Sequence, residues 1–201
     1  MTTPAFGLNY DYRCPFARNV HNHVIAAQRA GANFTIAFEP YTLSQGHIEP
    51  GNPPAWEDPA YDGDLLSLEA SLAVRDLLPG QFLDAHEAFF AARHERFIPL
   101  RSREEVGGVL ESVGIDPAVI FAHVDRGAPR AEIAETWLRR HDRDEVFGVP
   151  TFFVGTSAVF IRLMDGPNGD GAHSAATIER LVSLIADHGE INEFKHTKLD
   201  R

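Results

Sequence analysis

Apolar and polar positions partly alternate over residues 6–12 (FGLNYDY), and the spacing then lengthens to four at Phe16, Val20 and Val24. A period near two predicts a strand and a period near 3.6 predicts a helix. Pro15 suits the first turn of that helix, where its missing amide hydrogen is not needed, and Gly31 suits its end. Alternation returns at Phe34, Ile36 and Phe38, so a second strand is expected over 34–41. The opening stretch is a βαβ unit.

From 42 to 64 the pattern breaks into prolines and glycines with no sustained period, which predicts a long ordered loop or a lid. Helical spacing resumes at Leu65, Leu68 and Leu72. It continues through Phe82, His86, Phe89, Phe90 and Phe97, with interruptions at Pro79-Gly80 and Pro99. Asp116-Pro117 and Pro129 mark further helix starts, the last running through Ala131, Ala134 and Leu138. Residues 149–154 read as a strand, 155–157 as a turn and 159–163 as its partner, a hairpin. A glycine-rich loop over 166–171 precedes a helix over 174–186 carrying Ile178, Leu181, Val182 and Ile185, and the polar tail 190–201 is expected at the surface. The fold class is α/β: a βαβ start over 1–41, a loop and helical insertion over 42–145, and a ββα end with its tail over 146–201. This order is compatible with a thioredoxin-like fold carrying an inserted helical subdomain.

Composition narrows the function. With 201 residues, 44% hydrophobic and 23% charged, the chain reads as a soluble globular protein able to bury a core without staples. Its single cysteine, Cys14, excludes an internal disulfide framework, a four-cysteine zinc site and catalysis by an internal dithiol. The net charge of -11, with Lys195 and Lys198 the only lysines among 18 basic residues, leaves no basic stripe for nucleic acid or anionic membrane. No apolar run approaches the roughly 18 residues of a membrane span, and the N-terminus lacks a basic-then-apolar leader, so we place the protein in the cytoplasm.

Cys14 carries the sharpest local signal. A thiol just before Pro15 at a helix start faces unpaired amides and the positive end of the helix dipole, which favour the thiolate, and Arg13 is a further source of positive charge. The competing reading is a buried apolar cysteine.

Tyr12-Arg13-Cys14-Pro15-Phe16-Ala17 after a strand, a helical insertion, and Phe147-Gly148-Val149-Pro150-Thr151 before a hairpin together resemble the DsbA-like branch of the thioredoxin superfamily. Within it the chain is similar to cytoplasmic actinobacterial proteins that include mycothiol-dependent reductases, and the likeness extends to the tail Phe194-Lys195-His196-Thr197. The resemblance implies that Cys14 is the nucleophile, that Pro150 is cis and beside it, and that Val149 presents backbone groups to a thiol-bearing ligand. Arg13, Pro15, Phe16, Thr151 and Arg162 are the further candidates for contact with that ligand. The departure is Ala17, which stands where the family's second cysteine is usual. Without that thiol any mixed disulfide on Cys14 must be resolved from outside, by a second soluble thiol or another protein, with mycothiol or glutathione the expected thiol co-substrate. More distantly the chain resembles kappa-class glutathione transferases and 2-hydroxychromene-2-carboxylate isomerases, which use a hydroxyl at the position of Cys14 to orient glutathione.

Other features are weaker. His21 and His23, two apart on one helix, do not share a face, and His86 and His94 are too far apart for a local chelate, so no metal site is expected. Trp56, Trp137, Phe89, Phe90 and Phe97 either line an apolar cleft or pack a core, and the segment 48–59 either covers that cleft or is an inert loop. Arg162 is placed to fork onto a carboxylate of the thiol or to form a surface ion pair. No complete GxGxxG, P-loop or HExxH motif is present. The expectation is a monothiol thiol-disulfide oxidoreductase acting through Cys14 on a small hydrophobic or disulfide substrate. A kappa-type transferase or isomerase and a redox-inactive binding protein are the alternatives, and a homodimer is admitted by family analogy.

Overall fold

The computed structural model describes residues 4–193 and 195–196. Four strands, β1 (Ala5–Tyr10), β2 (Thr35–Pro40), β3 (Thr151–Val154) and β4 (Ser157–Phe160), form one sheet in the order β2-β1-β3-β4. β1 and β2 are parallel with Leu8 opposite Phe38, and helix α1 (Pro15–Arg29) makes the crossover that parallel neighbours require. β3 runs antiparallel to β1 with Phe152 opposite Leu8, and β4 returns antiparallel to β3. Between β2 and β3 lie α2 (Asp62–Leu77), α3 (Phe82–His94), α4 (Arg103–Ser112), α5 (Pro117–Val124) and α6 (Ala128–Asp144), and α7 (Gly171–Asp187) closes the order. The expected α/β arrangement with helices inserted between the two halves of the sheet is therefore present.

The sheet separates two cores. Phe6, Leu8 and Phe152 pack with Val20 and Val24 of α1 and Ile178, Val182 and Ile185 of α7. Phe153, on the opposite face from Phe152, joins the larger core built by α2 to α6, which also holds Tyr10, Tyr12 and Cys14. α1 and α7 approach so closely that a Cβ on Gly171 would lie 2.6 Å from Ala30 Cβ and 2.8 Å from the Ala26 carbonyl oxygen.

Several boundaries differ from the sequence expectation. β1 ends at Tyr10, not residue 12, because the Asp11 carboxylate takes the backbone N–H groups of Arg13 and Leu43 and turns the chain. Phe97 lies outside α3 with φ 57 and is 78% exposed. α4 went unanticipated, although Ser102 and Glu105 form a reciprocal capping box at its start. β4 stops at Phe160, since its partner strand begins only after Pro150, whose carbonyl accepts the Ile161 N–H at 3.2 Å. α7 starts at Gly171 because Asp170 caps it, accepting from the His173 N–H.

Phe97 apart, these aromatic residues are core, not cleft. Phe89 and Phe90 are fully buried, and Trp137 is nearly so, stacked between Tyr41 and His141. The segment 42–64 contains short 3-10 turns, and Gln45 Oε1 accepts the Ala55 N–H at 2.7 Å. It brings Trp56 against Trp137, so it seals a core instead of covering a cleft lined by these rings. The tail from 190 lies partly outside the described residues, and its described positions are exposed.

Candidate functional site

Cys14 is the N-cap of α1, with extended backbone (φ -87, ψ 118) ahead of Pro15 in the first helical position. Its own N–H donates to the Asp11 carbonyl at 3.0 Å, which sets the turn between β1 and the helix. The Ala17 N–H donates to Cys14 Sγ at 3.4 Å, so the sulfur fills the role an oxygen plays at most helix starts.

The second half of the site comes from the segment before β3. The Val149–Pro150 peptide is cis, and Cys14 Sγ donates to the Val149 carbonyl at 3.3 Å. Asn9 of β1 fixes this segment from below: its Nδ2 donates to the Gly148 carbonyl at 3.2 Å, and its Oδ1 accepts the Thr151 N–H at 2.6 Å. The Thr151 hydroxyl closes the turn by donating to the Gly148 carbonyl at 2.9 Å. Cys14, Pro15, Val149, Pro150 and Thr151 are thus brought together across 135 residues of chain.

Phe16 and Arg162 form one rim. The Arg162 guanidinium sits 5.1 Å from the Phe16 ring centre and 5.7 Å from that of Phe160, and it makes no ion pair among the described residues. Phe147, exposed, packs its ring 5.1 Å from Phe160. Arg13 turns elsewhere. Its guanidinium binds Asp11 at 2.6 Å and Asp64 at 2.8 Å and donates to Ser44, so the positive charge expected beside the sulfur is neutralised by carboxylates.

The thiolate expected from the helix start is not the resting state. Cys14 is only 8% exposed, and burial pushes its pKa above the ordinary value of 9.0. The Ala17 and Phe16 amides oppose that shift, Asp11 reinforces it and Arg162 opposes it. Desolvation wins because a sulfur in apolar surroundings loses more water than two amides replace. The S–H bond to Val149 is consistent with a protonated thiol.

Beneath the site runs a buried chain of hydrogen bonds that the sequence did not disclose. His21 Nε2 lies 3.1 Å from the Asn9 carbonyl, His86 Nε2 lies 2.8 Å from His21 Nδ1, and the Tyr12 hydroxyl lies 2.7 Å from His86 Nδ1. His23 instead faces α7, bonding Ser174 and the Asp165 carbonyl, while His94 bonds the Tyr12 carbonyl at 2.8 Å. The available signal for Asn9 was a polar residue between Leu8 and Tyr10 in a strand buried on both faces.

A family model described as DSBA-like thioredoxin domain matches residues 8–179. The chain belongs to the DsbA-like thioredoxin family. The similar solved structures are distant in sequence. MdbA, a thiol-disulfide oxidoreductase from Actinomyces oris, is 20% identical over 90% of this chain and 80% of its own, with a TM-score of 0.61. The cytosolic disulfide reductase DsbM from Pseudomonas aeruginosa with GSH is 15% identical over 90% of this chain and 100% of its own, with a TM-score of 0.61. The thiol-disulfide exchange protein alpha-DsbA2 from Wolbachia pipientis is 18% identical over 90% and 81%, with a TM-score of 0.60. At these identities the likeness is one of fold. No curated protein matches the chain. Within this DsbA-like frame the described residues hold no group of three His, Cys, Asp or Glu side chains placed to bind a metal, and no helix long and apolar enough to cross a membrane.

Proposed function

We propose that the protein is a cytoplasmic monothiol thiol-disulfide oxidoreductase in which Cys14 carries the substrate and a small thiol, glutathione or mycothiol, regenerates it. The observation that carries this reading is the contact of Cys14 Sγ with the Val149 carbonyl beside Pro150, in a chain whose position 17 is alanine. The Cys14 proton first leaves to solvent. The thiolate attacks one sulfur of a disulfide, forming a mixed disulfide and releasing the other half as a thiolate that takes up a proton. The thiolate of the external thiol then attacks the bound sulfur, forming a new disulfide and returning Cys14. On this reading the Val149 backbone beside Pro150 meets the bound ligand, Thr151 holds that segment through its bonds to Asn9 and Gly148, and Arg162 and Phe16 form the rim over the sulfur. Similarity in fold to a cytosolic disulfide reductase supports the reducing direction and location.

Incubation with oxidised glutathione or oxidised mycothiol, followed by intact-protein mass spectrometry of wild type and Cys14→Ser, tests the proposal. A reversible adduct on wild type alone supports it, and the disulfide that reacts names the thiol. One observation favours a redox-inactive binding protein: the burial that raises the Cys14 pKa. That reading requires no adduct at any pH at which the fold survives.

A further inference from the structure

A cleft of about 380 Å³ is lined by Tyr12, Arg13, Gly63, Asp64, Arg93 and Arg101, among others. Three guanidinium groups meet there, and only Asp11 and Asp64 answer them. Asp64 takes Arg13 on Oδ2 and Arg101 on Oδ1 at 2.5 Å, and its Oδ2 also accepts from Ser44. Asp11 takes the remaining face of Arg13. Arg93 is left with no ion pair among the described residues, and its Nε is buried without an acceptor. The Glu105 carboxylate also stands at this wall, accepting the Arg101 backbone N–H at 2.7 Å, and still leaves the Arg93 guanidinium without a carboxylate partner.

The far wall is held firmly. Leu100, buried in that wall, adopts left-handed backbone at φ 63, which L-residues other than glycine seldom do unless the surroundings impose it. Gly63 lies so near this segment that a Cβ would sit 2.9 Å from the Arg101 carbonyl oxygen. A fixed wall with an unanswered guanidinium matches a planar anion, which such a fork binds through two parallel N–H bonds.

We propose that this cleft receives a carboxylate of the thiol co-substrate, with Arg93 as the partner of that carboxylate. Tyr12 and Arg13, which lead directly into Cys14, form part of the wall, so a peptide thiol bound there lies beside the segment that carries the sulfur. The two thiols differ on this point: glutathione carries two free carboxylates and mycothiol carries none. The cleft therefore selects a peptide thiol. This inference rests on the external-thiol reading of Cys14.

Calorimetry with S-methylglutathione, which cannot exchange disulfides, tests the cleft independently of that chemistry. Binding is expected to wild type and to Cys14→Ser alike, to weaken about tenfold or more in Arg93→Gln, to recover in part in Arg93→Lys, and to vanish for the dimethyl ester. Equal binding by wild type and a folded Arg93→Gln, or no binding to wild type, overturns the proposal. Equally tight, Arg93-dependent binding of succinate would assign the cleft to carboxylates unrelated to the thiol and also overturn it. Failure of the Cys14 adduct with Arg93-dependent peptide binding intact would instead remove the exchange chemistry and leave the binding site.

Discussion

His21 Nδ1 lies 2.8 Å from His86 Nε2, and the Asn9 carbonyl on the other side of His21 sets the tautomer of both rings. The Asn9 carbonyl can only accept, so His21 Nε2 carries a proton and its Nδ1 is the acceptor. His86 must then donate from Nε2 and accept at Nδ1, where the Tyr12 hydroxyl donates. The inserted helix α3 is thereby tied to β1 on one side and to the segment before Cys14 on the other. Replacing His86 by Leu strands the Tyr12 hydroxyl and His21 Nδ1 in the core and is expected to cost about 2–4 kcal/mol in urea unfolding. A loss under about 1 kcal/mol would show that these groups find other partners.

Both rings also set a pH dependence. Burial pushes His21 down to about 3 and His86 well below the ordinary 6.5, with the neighbouring His21 lowering His86 further. The unfolded chain therefore binds more protons than the folded one between about pH 6.5 and 3, and stability falls as pH falls through that window. The contribution is complete above about 6.5. Stability measured from pH 7 to 5 should decline with a slope that is shallower in His86→Leu; an unchanged slope would exclude His86 as a source.

Because burial raises the Cys14 pKa, alkylation by iodoacetamide should be slow at neutral pH and rise through and beyond pH 9. Arg162→Ala removes a charge that favours the thiolate, so its profile should move to higher pH still. A midpoint below the ordinary 9.0 in wild type would contradict the burial argument.

Asn9→Ala leaves the buried Thr151 N–H without its acceptor and frees the Gly148 carbonyl. The expected cost is about 2–3 kcal/mol, with Cys14 exchange slowed even under conditions where the variant remains folded. Asn9→Asp keeps the acceptor for Thr151 and should retain more of both than alanine, which separates positioning from bulk.

Gly171→Ala places a methyl group against the Ala26 carbonyl and the Ala30 methyl. Overpacking between α1 and α7 should destabilise by about 1–3 kcal/mol, visible as a lower denaturation midpoint.

Much of this was legible in the chain. Alternation at Phe34, Ile36 and Phe38, Pro15 before Val20 and Val24, and the hairpin around Gly155 announce the sheet and its crossover because their periods differ. Cys14 and Pro150 stand out chemically, and family likeness joins them. The charge state of Cys14 was not legible, since it depends on how much water the folded core removes. Adjacency in sequence makes Arg13 a source of charge for the sulfur, yet Asp64, far along the chain, pairs with it instead. Asn9, His86 and Arg93 act through partners that only folding supplies, and no local pattern marks them.

Ala17 offers Cys14 a backbone hydrogen and a methyl group where a second sulfur would have stood. A dithiol protein can be oxidised while empty and carry that equivalent from one encounter to the next. On the monothiol reading proposed above, this chain has no such memory: oxidation by exchange and occupancy are one variable, each oxidised molecule weighs more by the mass of its passenger, and a mass spectrum of the protein taken from cells would read out directly which thiols it had met.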